Sequence, residues 1–183
     1  MDERLPFHDY GACPEVPLTP SVPSNSLAVV ACGCFWSLDD HFMSLPGVVR
    51  TTVGYTGGSS SSPTYGDVGD HAEAIVIEFD PRVLAYRDIL VSWASLHSPF
   101  FTVSATCYRS ALFYLDVEQE RLARKVLAAL ETNRGDGCKA VTAVEAAGSF
   151  FAAEEYHQKY WAKDRAKGGS GGTCSRKHTK NTS

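Results

Sequence analysis

The sequence predicts an α+β protein: a single mixed β-sheet with flanking helices, stacked as two layers. Three observations carry that reading. Apolar runs of strand length alternate with stretches of helical periodicity along residues 27–166, so strands and helices interleave. Hydrophobic residues make up 44% of the 183-residue chain and charged residues 21%, enough apolar side chain to fill one core. Turn-forming residues gather outside that span. Pro6, Pro14, Pro17, Pro20 and Pro23 punctuate residues 1–26, and the chain ends KGGSGGTCSRKHTKNTS from Lys167. The organisation expected is an extended N-terminal lead-in (1–26), one domain (27–166) and a flexible Gly/Ser-rich C-terminal arm (167–183) carrying Cys174.

The elements follow in order. Ser26 to Cys32 is a short apolar run, a buried strand punctuated by Gly33. Phe35, Leu38, Phe42 and Leu45 have helical spacing, so a helix is expected over Cys34 to Leu45, stopped by Pro46-Gly47. Val48 to Tyr55 is rich in β-formers and ends in Thr56-Gly57-Gly58; a Ser-rich loop (Ser59 to Ser62) leads on to Pro63 and Tyr65. Glu73 to Phe79 is the next strand, closed by Asp80-Pro81. Helical spacing returns at Tyr86, Ile89, Leu90, Trp93 and Leu96 and stops at Pro99. Tyr108 to Leu115 alternates like a strand. Asp116 then opens a helix that it can cap with Gln119 at the third position, with acids early, bases later, and Leu122, Val126 and Leu130 as the buried face. The run Asn133 to Gly137 is a turn, Ala140 to Glu145 a further strand, and Phe150 to Arg165 carries aromatic residues at helical spacing.

Composition removes several function classes. The net charge is -4 and no basic stripe lies outside the short tail, so no groove for nucleic-acid phosphates is expected. No stretch approaches the roughly 18 consecutive apolar residues that span a bilayer. The first residues, MDERLPFHDY, carry acids and lack the apolar centre of a secretory signal, so a cytoplasmic monomer is the expectation. Its six cysteines (Cys13, Cys32, Cys34, Cys107, Cys138 and Cys174) are then mostly reduced thiols, and any with a task is catalytic, redox-active or metal-binding.

The most informative segment is Gly33-Cys34-Phe35-Trp36, where a thiol sits as a strand turns into a helix. Unpaired N–H groups and the positive end of the macrodipole favour thiolate there, and two aromatic residues directly after it can wall an apolar pocket. A zinc module built from Cys32, Cys34, Cys107 or Cys174 with His71 or His157 is the rival reading. Structural zinc sites use Cys-x₂₋₄-Cys pairs, however, and the one close pair here has a single intervening residue.

GCFW followed by a short acidic helix and LPGV resembles the A-type peptide methionine sulfoxide reductases. So do Val53 to Gly58 (VGYTGG), Pro63-Thr64-Tyr65, His71-Ala72-Glu73-Ala74 with Phe79-Asp80-Pro81, Tyr108 to Ala111 (YRSA), and Ala153 to Tyr160 (AEEYHQKY), in the family's order. The resemblance implies a ferredoxin-like two-layer core and reduction of methionine S-sulfoxide, free or in proteins. Cys34 matches the family's nucleophile, which is left as a sulfenic acid. Glu73 matches its acid, and the apolar strand it begins could desolvate it. Tyr55 and Tyr108 match tyrosines that hydrogen-bond the sulfoxide oxygen. Phe35 and Trp36 match the cage around the substrate's methyl group. Cys174 is the implied resolving thiol, with Cys107 as an alternative, and the disulfide formed would be reduced by thioredoxin, or by dithiothreitol in vitro. No bound cofactor or metal is implied. The pattern departs from the family at Val103, where an aspartate is usual, so the acid helping the oxygen site is missing or supplied elsewhere. That departure motivates a second alternative, an impaired relative that binds methionine-containing partners. His157 is expected on a helix, in a structural hydrogen-bonding role.

Overall fold

The computed structural model describes residues 13–169; Cys174 lies outside the described residues. Among the described residues, seven strands form one sheet in the order β1-β7-β3-β4-β2-β5-β6: β1 (Glu15–Val16), β2 (Ser26–Cys32), β3 (Val48–Thr56), β4 (Ala72–Phe79), β5 (Ser110–Tyr114), β6 (Ala143–Ala146) and β7 (Phe150–Ala152). Neighbours are antiparallel except β5 and β6, which pair in parallel across the longest helix, α3 (Val117–Arg134). The sheet is therefore mixed. Its centre, β3-β4-β2-β5, has α1 (Phe35–Met43) between β2 and β3 and α2 (Tyr86–Ser95) between β4 and β5. This is the β-α-β-β-α-β order of a ferredoxin-like core.

Strand alternation sorts the side chains onto two faces. Ala28, Val30, Val53, Tyr55, Ile75, Ile77 and Leu112 face the helices, where Phe35, Leu38 and Phe42 of α1, Ile89 and Trp93 of α2, and Ala123 and Leu127 of α3 cover them. Val29, Ala31, Ala72, Ala74, Ala111, Phe113 and Phe150 form the opposite face. At the head of α3, Gln119 N–H donates to Asp116 Oδ1 at 2.9 Å, as the cap pattern predicts. The Gln119 amide also donates to the Leu27 carbonyl at 2.7 Å, which docks the helix on β2. That docking turns Ala123 and Leu127 inward beside Val126, while Leu122 and Leu130 pack at the margin of the core.

Two regions differ from expectation. The lead-in contributes an edge strand, β1, against β7. The aromatic run from Phe150 is not one helix. Phe150 and Phe151 are buried on opposite faces of β7, residues 155–159 are turn, and only Tyr160–Ala166 is helical (α4). His157 thus sits on a turn. Side chains decide this against local propensity: the Gln158 amide bonds both Val53 N–H (3.0 Å) and the Val53 carbonyl (2.9 Å), and Lys159 is drawn to Asp39 on α1.

Candidate active site

β2 ends at Cys32, and the chain turns through Gly33 at φ 101°, a conformation open to glycine and costly to other residues. This turn sets Cys34 as the N-cap of α1, with extended backbone (φ −62°, ψ 121°) and no side-chain capping bond. Cys34 is half-buried, at the surface end of the helix axis, and is disulfide-bonded in this structure. The first helical N–H, that of Phe35, donates to Glu73 Oε2 at 3.1 Å. A buried carboxyl group therefore occupies the position next to Cys34 where the helix dipole is most positive. Cys32, two residues earlier, is partly buried against the core; burial pushes its thiol up to about 12, so it stays neutral.

Strand register explains how Glu73 and its partner reach this place. On β4, Ala72 and Ala74 face away from the helices, so Glu73 faces toward them and is only 1% exposed. Directly opposite it on β3 stands Tyr55. The carboxyl and the phenol are thereby a cross-strand pair on one face. Tyr55 is fully buried, its ring 5.7 Å from that of Phe35, and its hydroxyl donates to Glu154 Oε2 at 3.1 Å. Burial, followed by the nearby charges of Glu154 and Glu73, holds the phenol far above its ordinary value, so it keeps its proton.

Glu154 is a junction. Its other oxygen accepts Tyr65 N–H at 2.9 Å, and the Cys13 thiol lies against it. Burial first, and the Glu154 charge second, pushes that thiol up to about 12. His157 Nε2 stands 3.7 Å from Glu154 Oε2, and His157 Nδ1 accepts from Trp36 Nε1 at 2.9 Å. An indole N–H can only donate, so the neutral imidazole carries its proton on Nε2, facing Glu154. Trp36 is half-buried and stacks on Tyr160 with ring centroids 3.8 Å apart and planes 7° apart. Of the two aromatic residues after Cys34, Trp36 reaches the surface, while Phe35 lies fully buried beneath it.

Tyr108 closes a 3-10 turn, Thr106–Tyr108, that packs against β4; it and Cys107 are half-buried. Arg109 holds the turn in place by donating to the carbonyls of Gly57 (2.7 Å) and Asp70 (3.1 Å). Val103 is 50% exposed on the loop before it. The phenol that meets a carboxylate is that of Tyr55, on β3, and the carboxylate is that of Glu154. Sequence reasoning passed over that residue, as well as Cys13 and Tyr65. Glu154 lies within the AEEYHQKY segment, but nothing in its spacing announces that it points at β3. Cys13 sits among prolines in a stretch without helical or strand periodicity.

The rival metal reading finds its histidines engaged. His71 Nδ1 accepts from Gly58 N–H at 3.2 Å and its Nε2 lies 2.8 Å from the Ser60 carbonyl, fastening the turn after β3. Among the described residues no group of three His, Cys, Asp or Glu side chains is arranged to hold a metal ion. No described helix is long and apolar enough to cross a membrane.

Comparison with known proteins adds an independent line. The sequence pattern of the family described as peptide methionine sulfoxide reductase matches residues 26–182. A protein of that name from Mycobacterium tuberculosis strain H37Rv is 44% identical over 142 residues, which are 75% of this chain and 78% of the relative. One from Leifsonia xyli is 45% identical over 139 residues, 73% of this chain and 82% of the relative. The crystal structure of the reduced form of Mxr1 from Saccharomyces cerevisiae superposes with a TM-score of 0.75 at 28% identity, covering 85% of this chain and 92% of that one.

Proposed function

The chain belongs to the peptide methionine sulfoxide reductase family, and from that premise we propose that it reduces methionine S-sulfoxide, free or in proteins, at Cys34. The observation that carries the assignment is the convergence at one helix start: Cys34 caps α1, the Glu73 carboxyl sits on the adjoining N–H, and Tyr55 stands opposite Glu73 across the sheet. A sulfur nucleophile, a proton carrier and a hydroxyl meet there.

The chemistry balances with these groups alone. The Cys34 thiol passes its proton to Glu73, and the thiolate attacks the electrophilic sulfoxide sulfur. The sulfoxide oxygen takes the proton from Glu73, the S–O bond breaks, and the hydroxyl passes to the Cys34 sulfur. The products are methionine and a sulfenic acid on Cys34. Tyr55 and Tyr108 attend the oxygen, and the indole of Trp36, with Phe35 beneath it, offers an apolar wall for the methyl group. Cys174 is the resolving thiol: it attacks the sulfenic sulfur, water leaves, and a disulfide remains. Thioredoxin, or dithiothreitol in vitro, returns both sulfurs to thiols by exchange, so the electrons arrive without a bound metal or organic cofactor. That Cys34 stands in a disulfide already supports this cycle. The working unit is a cytoplasmic monomer, with residues 27–166 as catalytic domain and 167–183 as the arm that delivers Cys174.

Mass spectrometry of the reduced protein after one equivalent of an S-sulfoxide substrate tests the reading. One equivalent of methionine should appear together with a Cys34–Cys174 disulfide, and Cys34→Ser should yield neither. Methionine formed by Cys34→Ser would overturn the assignment. A disulfide joining Cys34 to Cys107 would transfer the resolving role.

A further inference from the structure

Tyr55 and Glu154 raise a question of direction. A sulfoxide oxygen before reaction is purely an acceptor, yet the one hydrogen of the Tyr55 hydroxyl points to Glu154 Oε2, 3.1 Å away, and the phenol does not ionise. With its hydrogen so committed, Tyr55 can offer only lone pairs to the pocket. Lone pairs repel an unprotonated sulfoxide oxygen and welcome one that has just received the Glu73 proton and become a donor.

We propose that Glu154 is a positioning residue: by taking the Tyr55 hydrogen, it makes Tyr55 an acceptor for the protonated substrate oxygen, so that the pair binds the transition state in preference to the sulfoxide. The inference rests on the assignment of Cys34 and Tyr55 above. It requires no new co-reactant. The transferred proton is the one from Glu73, and Tyr55 keeps its own throughout. The bond that strengthens as the reaction proceeds is substrate O–H to Tyr55 Oη, which is the kind of interaction that raises kcat without tightening KM.

Glu154 is suited to this duty by its surroundings. Its side chain is 8% exposed, and its second oxygen is fixed by Tyr65 N–H at 2.9 Å. Its segment is fastened at both ends: Ala153 N–H donates to the Val53 carbonyl at 2.9 Å, and Gln158 grips Val53 from the other side. The carboxylate therefore cannot follow Tyr55 if the phenol rotates toward the pocket. The same Oε2 faces His157 Nε2, whose ring carries Trp36, so the oxygen side and the methyl side of the pocket share one anchor.

Substituting Glu154→Gln keeps the shape and reverses the hydrogen bond to Tyr55, while the His157 Nε2–H, 3.7 Å away, then faces an amide N–H in place of a carboxylate oxygen. The backbone N–H of Tyr65 can only donate, so the amide oxygen must turn to it, and the amide NH₂ then donates to Tyr55. The tyrosine hydrogen is released toward the pocket, where it favours the unreacted sulfoxide. Single-turnover rates and steady-state kcat and KM are measured with S-sulfoxide substrate for the wild type, Glu154→Gln, Tyr55→Phe and the double variant. The expected result is kcat about tenfold lower in Glu154→Gln, roughly the worth of one hydrogen bond, with KM unchanged or lower. In the Tyr55→Phe background, the same substitution should change kcat by less than about twofold, since the two act as one unit. Equal loss in both backgrounds, a raised KM with unchanged kcat, or a Tyr55→Phe enzyme as fast as wild type would each overturn the inference. Should Glu154→Gln not fold, Glu154→Asp serves: it keeps the charge but withdraws it, and its loss of kcat must likewise vanish in the Tyr55→Phe background. A wild-type enzyme without sulfoxide reduction would instead sink the functional assignment itself.

Discussion

Asp39 offers a calculable test of how the 153–160 segment is held. The carboxylate is 1% exposed and accepts three hydrogen bonds: from the Thr51 hydroxyl at 2.5 Å, from Lys159 N–H at 2.7 Å and from Lys159 Nζ at 2.8 Å. Lys159 itself sits in the left-handed region, at φ 57°, a conformation a β-carbon disfavours, so its surroundings must over-determine it. Asp39→Asn keeps the shape but leaves one acceptor where three donors converge. A hydrogen bond to a charged group contributes about 1.5–3 kcal/mol, and an abandoned buried donor adds to the loss. Water can reach the ammonium, since the Lys159 side chain is 29% exposed, and this limits the damage. The expected cost is about 2–4 kcal/mol, or about 5–15 °C in Tm for a chain of this length. Urea unfolding of the reduced protein at neutral pH measures it. Lys159→Met should cost about 1–3 kcal/mol, and the double variant clearly less than the sum, because the partners are coupled. KM should rise in both single variants, since Lys159 leads directly into Tyr160, the ring stacked on Trp36. An Asp39→Asn protein within about 0.5 kcal/mol of wild type would refute the clamp.

Cys174→Ser should abolish thioredoxin-driven turnover while leaving one methionine per enzyme in a single-turnover assay; continued cycling would pass the resolving role to Cys107. Glu73→Gln should slow the chemical step by about 10²–10⁴-fold, with circular dichroism unchanged, and a variant as fast as wild type would remove Glu73 from proton transfer. Glu78 predicts acid behaviour. Burial raises its carboxyl, but hydrogen bonds from Ser21 and Asn25 outweigh that and hold it at about 2, against an ordinary 4.5. A depressed carboxyl stabilises the fold above its ordinary value and loses that contribution as pH falls through the depressed one. Between about pH 4.5 and pH 2 the wild type should therefore lose about 2 kcal/mol more than Glu78→Gln, and parallel urea midpoints across that range would contradict the reading.

The central elements were legible because each announces itself locally. SLAVVAC is apolar on both faces and lies mid-sheet, and Gly33 supplies the one backbone conformation that lets a strand deliver Cys34 to a helix start. Asp116 and Gln119 mark the head of α3 as their types require. Phe150 to Arg165 misled because aromatic spacing alone cannot tell a helix from a strand followed by a turn. The arbiter was tertiary, in the grip of Gln158 on Val53 and of Lys159 on Asp39. The motifs single out Cys34 and Glu73, which the fold sets at one helix start, but the company of Tyr55 carries no such mark. Glu154 reaches it from 99 residues further along the chain, and Cys13 joins from a proline-rich segment that carries no periodic signal.

The opposition of Tyr55 and Glu73 across β3 and β4 divides the chain into places where length is free and places where it is not. Residues added at the exposed Ser61 and Ser62, beyond the contacts of Ser59 and Ser60 with Asp70 and His71, lengthen the connection outside the pleated surface and leave both groups where they were. One residue inserted beside either of them inverts the parity of the strand, and the phenol or the carboxyl would swing into the company of Val29 and Phe150 on the far side. Strand parity rather than loop length thus keeps the phenol and the carboxyl on one face of the sheet.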